Sequence, residues 1–91
     1  MASMHVVISG KVQGVGFRWF ARYTARRLDI RGWVRNLPDG RVEVAASGSE
    51  KSLDAFRGDL RSGPDGARVE DISDLEPLED EYLEYPFAVN R

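Results

Sequence analysis

The chain has 91 residues, no cysteine, 42% hydrophobic residues and a formal net charge of −2. That length implies one domain, 1–91, able to close a core without staples. The lack of cysteine excludes disulfides, thiolate nucleophiles and cysteine metal sites. No apolar run approaches the ~20 residues of a membrane span and Met1-Ala2-Ser3-Met4 shows no leader pattern, so a cytoplasmic location is expected.

Residues 5–12 alternate, with Val6, Ile8, Gly10 and Val12 on one face and His5, Val7, Ser9 and Lys11 on the other, which predicts a half-buried strand. Residues 17–29 carry Phe17, Phe20, Ala21, Thr24 and Leu28 at helical spacing, with Arg18, Arg22, Arg26 and Arg27 interleaved. Residues 31–37 read as a second strand, Pro38-Asp39-Gly40 as a turn, and 41–47 as a third strand. Ser49 is placed to cap a second helix with an apolar stripe of Leu53, Phe56 and Leu60, which Gly63-Pro64 stops. Val69 and Ile72 mark a fourth strand within 67–75, and Pro86-Phe87-Ala88-Val89 reads as a short fifth. The order β-α-β-β-α-β is the split βαβ plan, an α+β class with an antiparallel sheet and two helices on one face.

Charge is distributed unevenly. Residues 1–41 carry eight Lys/Arg against two Asp/Glu, and residues 42–91 carry five against thirteen. The basic half suits an anionic ligand, and the acidic half supplies solubility. The basic half also contains the most informative stretch, Gly10-Lys11-Val12-Gln13-Gly14-Val15-Gly16-Phe17-Arg18. There a strand ends, two glycines free the backbone, and an arginine opens a helix. Converging N–H groups, the positive helix end and a guanidinium together suit a phosphoryl group.

Other phosphate loops do not fit. A Walker loop needs Gly-Lys followed by Ser or Thr, and a dinucleotide fingerprint needs a third glycine where Trp19 stands. The plain alternative is an ordinary strand-to-helix turn. Arg18 opposes the helix dipole, which points to a bound anion that it grips with two N–H groups; the alternative is a solvated arginine. Asn36, at the end of the second strand, either satisfies the turn or holds a water in line with phosphorus. Trp33 is read as packing, His5 as a surface residue without a partner, and the carboxylates of 70–84 as a solvated face. A nucleic-acid module of the same plan stacks bases on sheet aromatics; here the outward positions are Val7, Ser9, Glu43 and Ala45, so no nucleic-acid partner is expected.

The segments V-Q-G-V-G-F-R (12–18) and G-W-V-R-N-x-x-D-G-x-V-E (32–43) closely resemble the two signatures of the acylphosphatase family. The likeness continues through Gly48, the G-P-x-x-A-x-V run at 63–69 and Phe87. Leu37-Pro38 and 76–84 are its least family-like parts, both expected to lie clear of the site. The resemblance implies a ferredoxin-like α/β sandwich and hydrolysis of a carboxyl–phosphate bond without metal or cofactor. It implies that Arg18 binds phosphate, that Asn36 positions water, and that Gln13, Gly14, Val15, Gly16, Phe17 and Arg18 form the backbone cradle. A small acyl phosphate is the implied substrate, with a monomer as the default. The alternatives are a phosphate-binding or nucleic-acid-binding module of this fold without turnover, and the acylphosphatase-like domain of a larger hydrogenase-maturation protein. The short chain favours a free-standing enzyme.

Overall fold

The computed structural model describes residues 2–90. The first strand, β1, runs over Ala2–Lys11, three residues earlier than its alternation indicates, and it is followed by helix α1 over Phe17–Arg27. Strands β2 (Arg31–Asn36) and β3 (Val42–Gly48) form a hairpin, helix α2 spans Glu50–Ser62, and β4 spans Arg68–Asp74. A single 3-10 turn at Asp80–Tyr82 precedes β5, only Ala88–Val89. Helix α1 ends two residues before the predicted stop, because Asp29 takes a left-handed φ of 55° that a helix cannot accommodate.

The sheet order is β4-β1-β3-β2-β5. The four long strands pair antiparallel, as expected, but β5 pairs parallel to β2 through Trp33–Ala88 and Val34–Val89, so the sheet as a whole is mixed. Each helix therefore crosses between strands separated by a third, which is the predicted split arrangement. The core lies between the helices and the sheet. Val6, Ile8, Val34, Val42, Val44 and Ala46 face Phe17, Ala21 and Ala25 of α1 and Leu53, Phe56 and Leu60 of α2. Phe56 and Phe87 meet edge to face at 5.8 Å, fastening the last strand to this layer.

The two helices start differently. In α2 the predicted cap is present: the Ser49 hydroxyl accepts from the Ser52 amide at 3.0 Å, and Glu50 stands in the first turn. In α1, Gly16 occupies the cap position without a side-chain cap, and the first turn contains no acid.

The other sheet face is not open. Residues 75–85 cross it as a strap. The Leu75 amide donates to the His5 carbonyl, the Trp33 indole to the Tyr82 carbonyl at 3.0 Å, and the Gly32 amide to the Glu84 carbonyl at 2.7 Å. Leu83 of the strap is itself buried. Val7, Glu43 and Ala45, which the alternation places outward, are consequently buried as well. His5 is likewise not a lone surface residue. It lies inside β1, is 9% exposed, and its ring nitrogens stand 2.7 Å from the Glu76 carbonyl and 2.6 Å from Glu43 Oε2. The carboxylates of Glu76, Glu79, Glu81 and Glu84 do remain in solvent; the strap's backbone covers the sheet while these four acids face out.

Candidate active site

Strand β1 delivers the chain to residues 12–16, where Val12 turns inward and the backbone becomes irregular. Gly14 and Gly16 both have φ of 76°, a left-handed conformation that costs an L-residue about 1–2 kcal/mol. A Cβ at either position would meet nothing within 4 Å, so glycine is required by conformation, not by crowding. The first helical bond of α1 runs from the Phe20 amide to the Gly16 carbonyl at 3.0 Å. The amides of Phe17, Arg18 and Trp19 find no acceptor among the described residues. They form an uncapped positive helix end of the type that receives an anion.

The six loop residues divide the work. Phe17 sends its ring into the core and Val15 packs against that core, so both offer only backbone to the loop mouth. Arg18 is half-buried, one residue into the helix, and makes no ion pair with the described carboxylates. A guanidinium held against a helix dipole with no counter-charge lacks one favourable partner. Gln13 uses its side chain rather than its backbone: Nε2 donates to the carbonyls of Leu37 and Arg41, at 2.8 Å each.

That double bond ties the loop to the β2–β3 turn. Asn36, the last residue of β2, pairs with Val42 in β3 and immediately precedes the turn. Its Oδ1 is buried and has no hydrogen-bond partner. Leu37, expected to lie clear of the site, is instead the residue whose carbonyl fastens the turn to the loop. The fold thus ties the two signature segments together through Gln13: one contains the free helix amides and Arg18, the other the unpaired Asn36 oxygen.

Beneath the strap lies a charged group that the sequence reading missed. Glu43 accepts from His5 through Oε2 and from Arg35 through Oε1 at 2.7 Å. Burial pushes its carboxyl up, but the His5 and Arg35 bonds outweigh that and hold it below the ordinary range. Both His5 ring nitrogens stand within hydrogen-bond distance of acceptors, the Glu76 carbonyl and Glu43 Oε2. The available signal was that His5 and Glu43 share one face of adjacent strands. A groove of about 510 Å³ lies along α1 between Trp19, Arg22, Tyr23, Arg26 and Arg27, and neither residues 13–18 nor Asn36 lines it. Among the described residues no three His, Cys, Asp or Glu side chains are grouped as metal ligands would be.

The acylphosphatase family model matches residues 4–88, nearly the whole chain. The chain belongs to the acylphosphatase family. Membership makes it a hydrolase. An acylphosphatase from Archaeoglobus fulgidus is 50% identical over 72 residues, which cover 79% of this chain and 81% of that one. The crystal structure of acylphosphatase from Bacillus subtilis matches with a TM-score of 0.89 at 35% identity, over 100% of both chains. T. kodakarensis HypF contains the same fold at TM-score 0.85 and 33% identity, and this acylphosphatase-family chain spans 12% of it.

Proposed function

We propose that this site cleaves the carboxyl–phosphate bond of a small acyl phosphate, giving a carboxylate and inorganic phosphate. One observation supports the reading: Asn36 Oδ1 is a buried acceptor with no donor, and it belongs to the residue next to the turn that Gln13 ties to the loop, whose helix amides have no acceptors. A buried orphan acceptor costs about 1–3 kcal/mol, and a water that it orients would remove that cost.

In this reading the phosphoryl oxygens occupy the loop amides of residues 14–18 and the Arg18 guanidinium. Asn36 Oδ1 accepts a hydrogen bond from a water and aims its oxygen at phosphorus, opposite the acyl oxygen. The new P–O bond forms as the P–O bond to the acyl group breaks, and the electron pair leaves with the carboxylate. The leaving group is weakly basic, so it needs no general acid. The water's proton passes to a phosphoryl oxygen. Catalysis then consists of positioning and charge stabilisation, which the cradle supplies without a metal. The protein acts as a monomer on a small molecule. The strap removes the sheet face on which RNA modules of this plan stack bases, which favours this reading over a nucleic-acid partner.

The test is phosphate release from benzoyl phosphate by wild type, Arg18→Ala and Asn36→Ala, each with and without chelator. Turnover lost in both variants and indifferent to chelator is the expected result. Near-native hydrolysis by Arg18→Ala, or a strict Mg²⁺ requirement, contradicts it. Phosphate binding without any turnover in wild type would leave a binding module instead.

A further inference from the structure

We infer that Gln13 is a positioning residue that sets the distance between the phosphate cradle and Asn36; this rests on the role proposed above for Asn36. The cradle groups all belong to one continuous segment, residues 14–18 entering α1. Asn36 belongs to another, and no ladder joins them directly, because β3 lies between β1 and β2. The side-chain bridge is Gln13.

Its geometry is specific. The Nε2 hydrogens are both used, one on the Leu37 carbonyl and one on the Arg41 carbonyl, 2.8 Å each. Two carbonyl oxygens accept only from the NH₂ end, so they also fix which way the amide faces. The turn they belong to is itself closed, by the Leu37 amide on the Arg41 carbonyl at 2.8 Å and the Gly40 amide on the Leu37 carbonyl. Gln13 therefore grips a preformed ring at both ends, and Asn36 is the residue next to that ring. Movement of the loop against the turn must break two bonds at once.

The consequence is a separation of binding from chemistry. Phosphate affinity depends on groups inside the 14–18 segment and survives loss of the bridge. Water alignment depends on the two segments together and does not. A misplacement of about 1 Å at a reacting centre can cost about 10²-fold in rate, so Gln13→Ala is expected to lower kcat by about 10- to 100-fold. The inhibition constant of inorganic phosphate stays near the wild-type value. Gln13→Glu keeps the shape, cannot donate from an ionised carboxylate, and sets that charge against two carbonyl oxygens; its kcat falls at least as far.

A double-mutant cycle with Asn36→Ala, read on benzoyl phosphate with inorganic phosphate as inhibitor, decides the matter. If Gln13 acts through Asn36, adding Gln13→Ala to Asn36→Ala changes kcat by less than about twofold. Retained phosphate inhibition shows that the variant loop is folded. Multiplicative losses, a wild-type kcat in Gln13→Glu, or phosphate inhibition lost together with kcat would each overturn the assignment. If Asn36→Ala alone leaves kcat intact, the proposed role of Asn36 fails first and the bridge loses its purpose with it.

Discussion

Replacing Arg18 by alanine should separate stability from activity, with opposite signs. The guanidinium stands in the first turn of α1, against the helix dipole and without an ion-pair partner among the described residues. Removing that opposition returns about 0.3–1 kcal/mol. The half-buried stem gives up some packing, so the two effects largely offset. Stability of the ligand-free protein therefore holds level or rises slightly. Activity behaves differently. A bidentate grip on phosphoryl oxygens is two charge-assisted hydrogen bonds at about 1.5–3 kcal/mol each, so about 4 kcal/mol of transition-state stabilisation is lost, or about 10³-fold in kcat/KM. The assay pairs benzoyl phosphate hydrolysis with thermal melting in increasing inorganic phosphate. Wild type should gain about 2.7 kcal/mol at a phosphate concentration 100 times its Kd, and the variant much less at the same concentration. An equal phosphate-induced rise in Tm, or hydrolysis within tenfold of wild type, refutes the reasoning.

Other substitutions probe single links. Asn36→Ala should cut kcat by about 10²-fold while sparing phosphate inhibition, and it should not lower Tm, because the buried oxygen it removes has no partner. Gly16→Ala forces a side chain into φ 76° and should cost about 1–2 kcal/mol in urea unfolding together with weaker phosphate protection; an unchanged midpoint would show the loop relaxing freely. The depressed Glu43 carboxyl contributes stability that is complete above about pH 4.5 and is lost as pH falls. Glu43→Gln should therefore flatten the acid limb of a urea-midpoint profile, and an acid limb as steep as wild type's would assign the loss to other carboxylates. Phe56→Ala empties a fully buried site against Phe87 and should cost about 3–5 kcal/mol by chemical denaturation, a large share of the about 5–15 kcal/mol that holds a domain together.

Local patterns carried most of the fold. The 3.6-residue spacing of Phe17, Ala21, Leu53, Phe56 and Leu60 identified both helices, and the Ser49 cap was visible because its partner lies three residues away. The cradle was legible for the same reason: its glycines and Arg18 lie within five residues, and α1 opens without the acid that Glu50 supplies to the first turn of α2. What escaped were contacts between distant segments. Nothing within residues 75–85 indicates which surface they cover, since Leu75, Leu78, Tyr82, Leu83 and Tyr85 follow neither a strand nor a helix period and are interleaved with acids. His5 seemed solitary because its partners, Glu43 and Glu76, lie 38 and 71 positions away. The Gln13 amide spans 24 positions to Leu37, and only the closed sheet brings the two together.

The sheet's two margins are treated unequally. On one side β5 is two residues long, too short to template another chain. On the other, β4 runs for seven residues and presents unpaired backbone groups along its outer side, yet Arg68, Glu70, Asp71 and Asp74 all stand exposed on it. A foreign strand drawing alongside would bring its own backbone into a row dominated by negative charge. The molecule can keep a long free border in crowded solution and still resist growing into a ribbon of joined sheets.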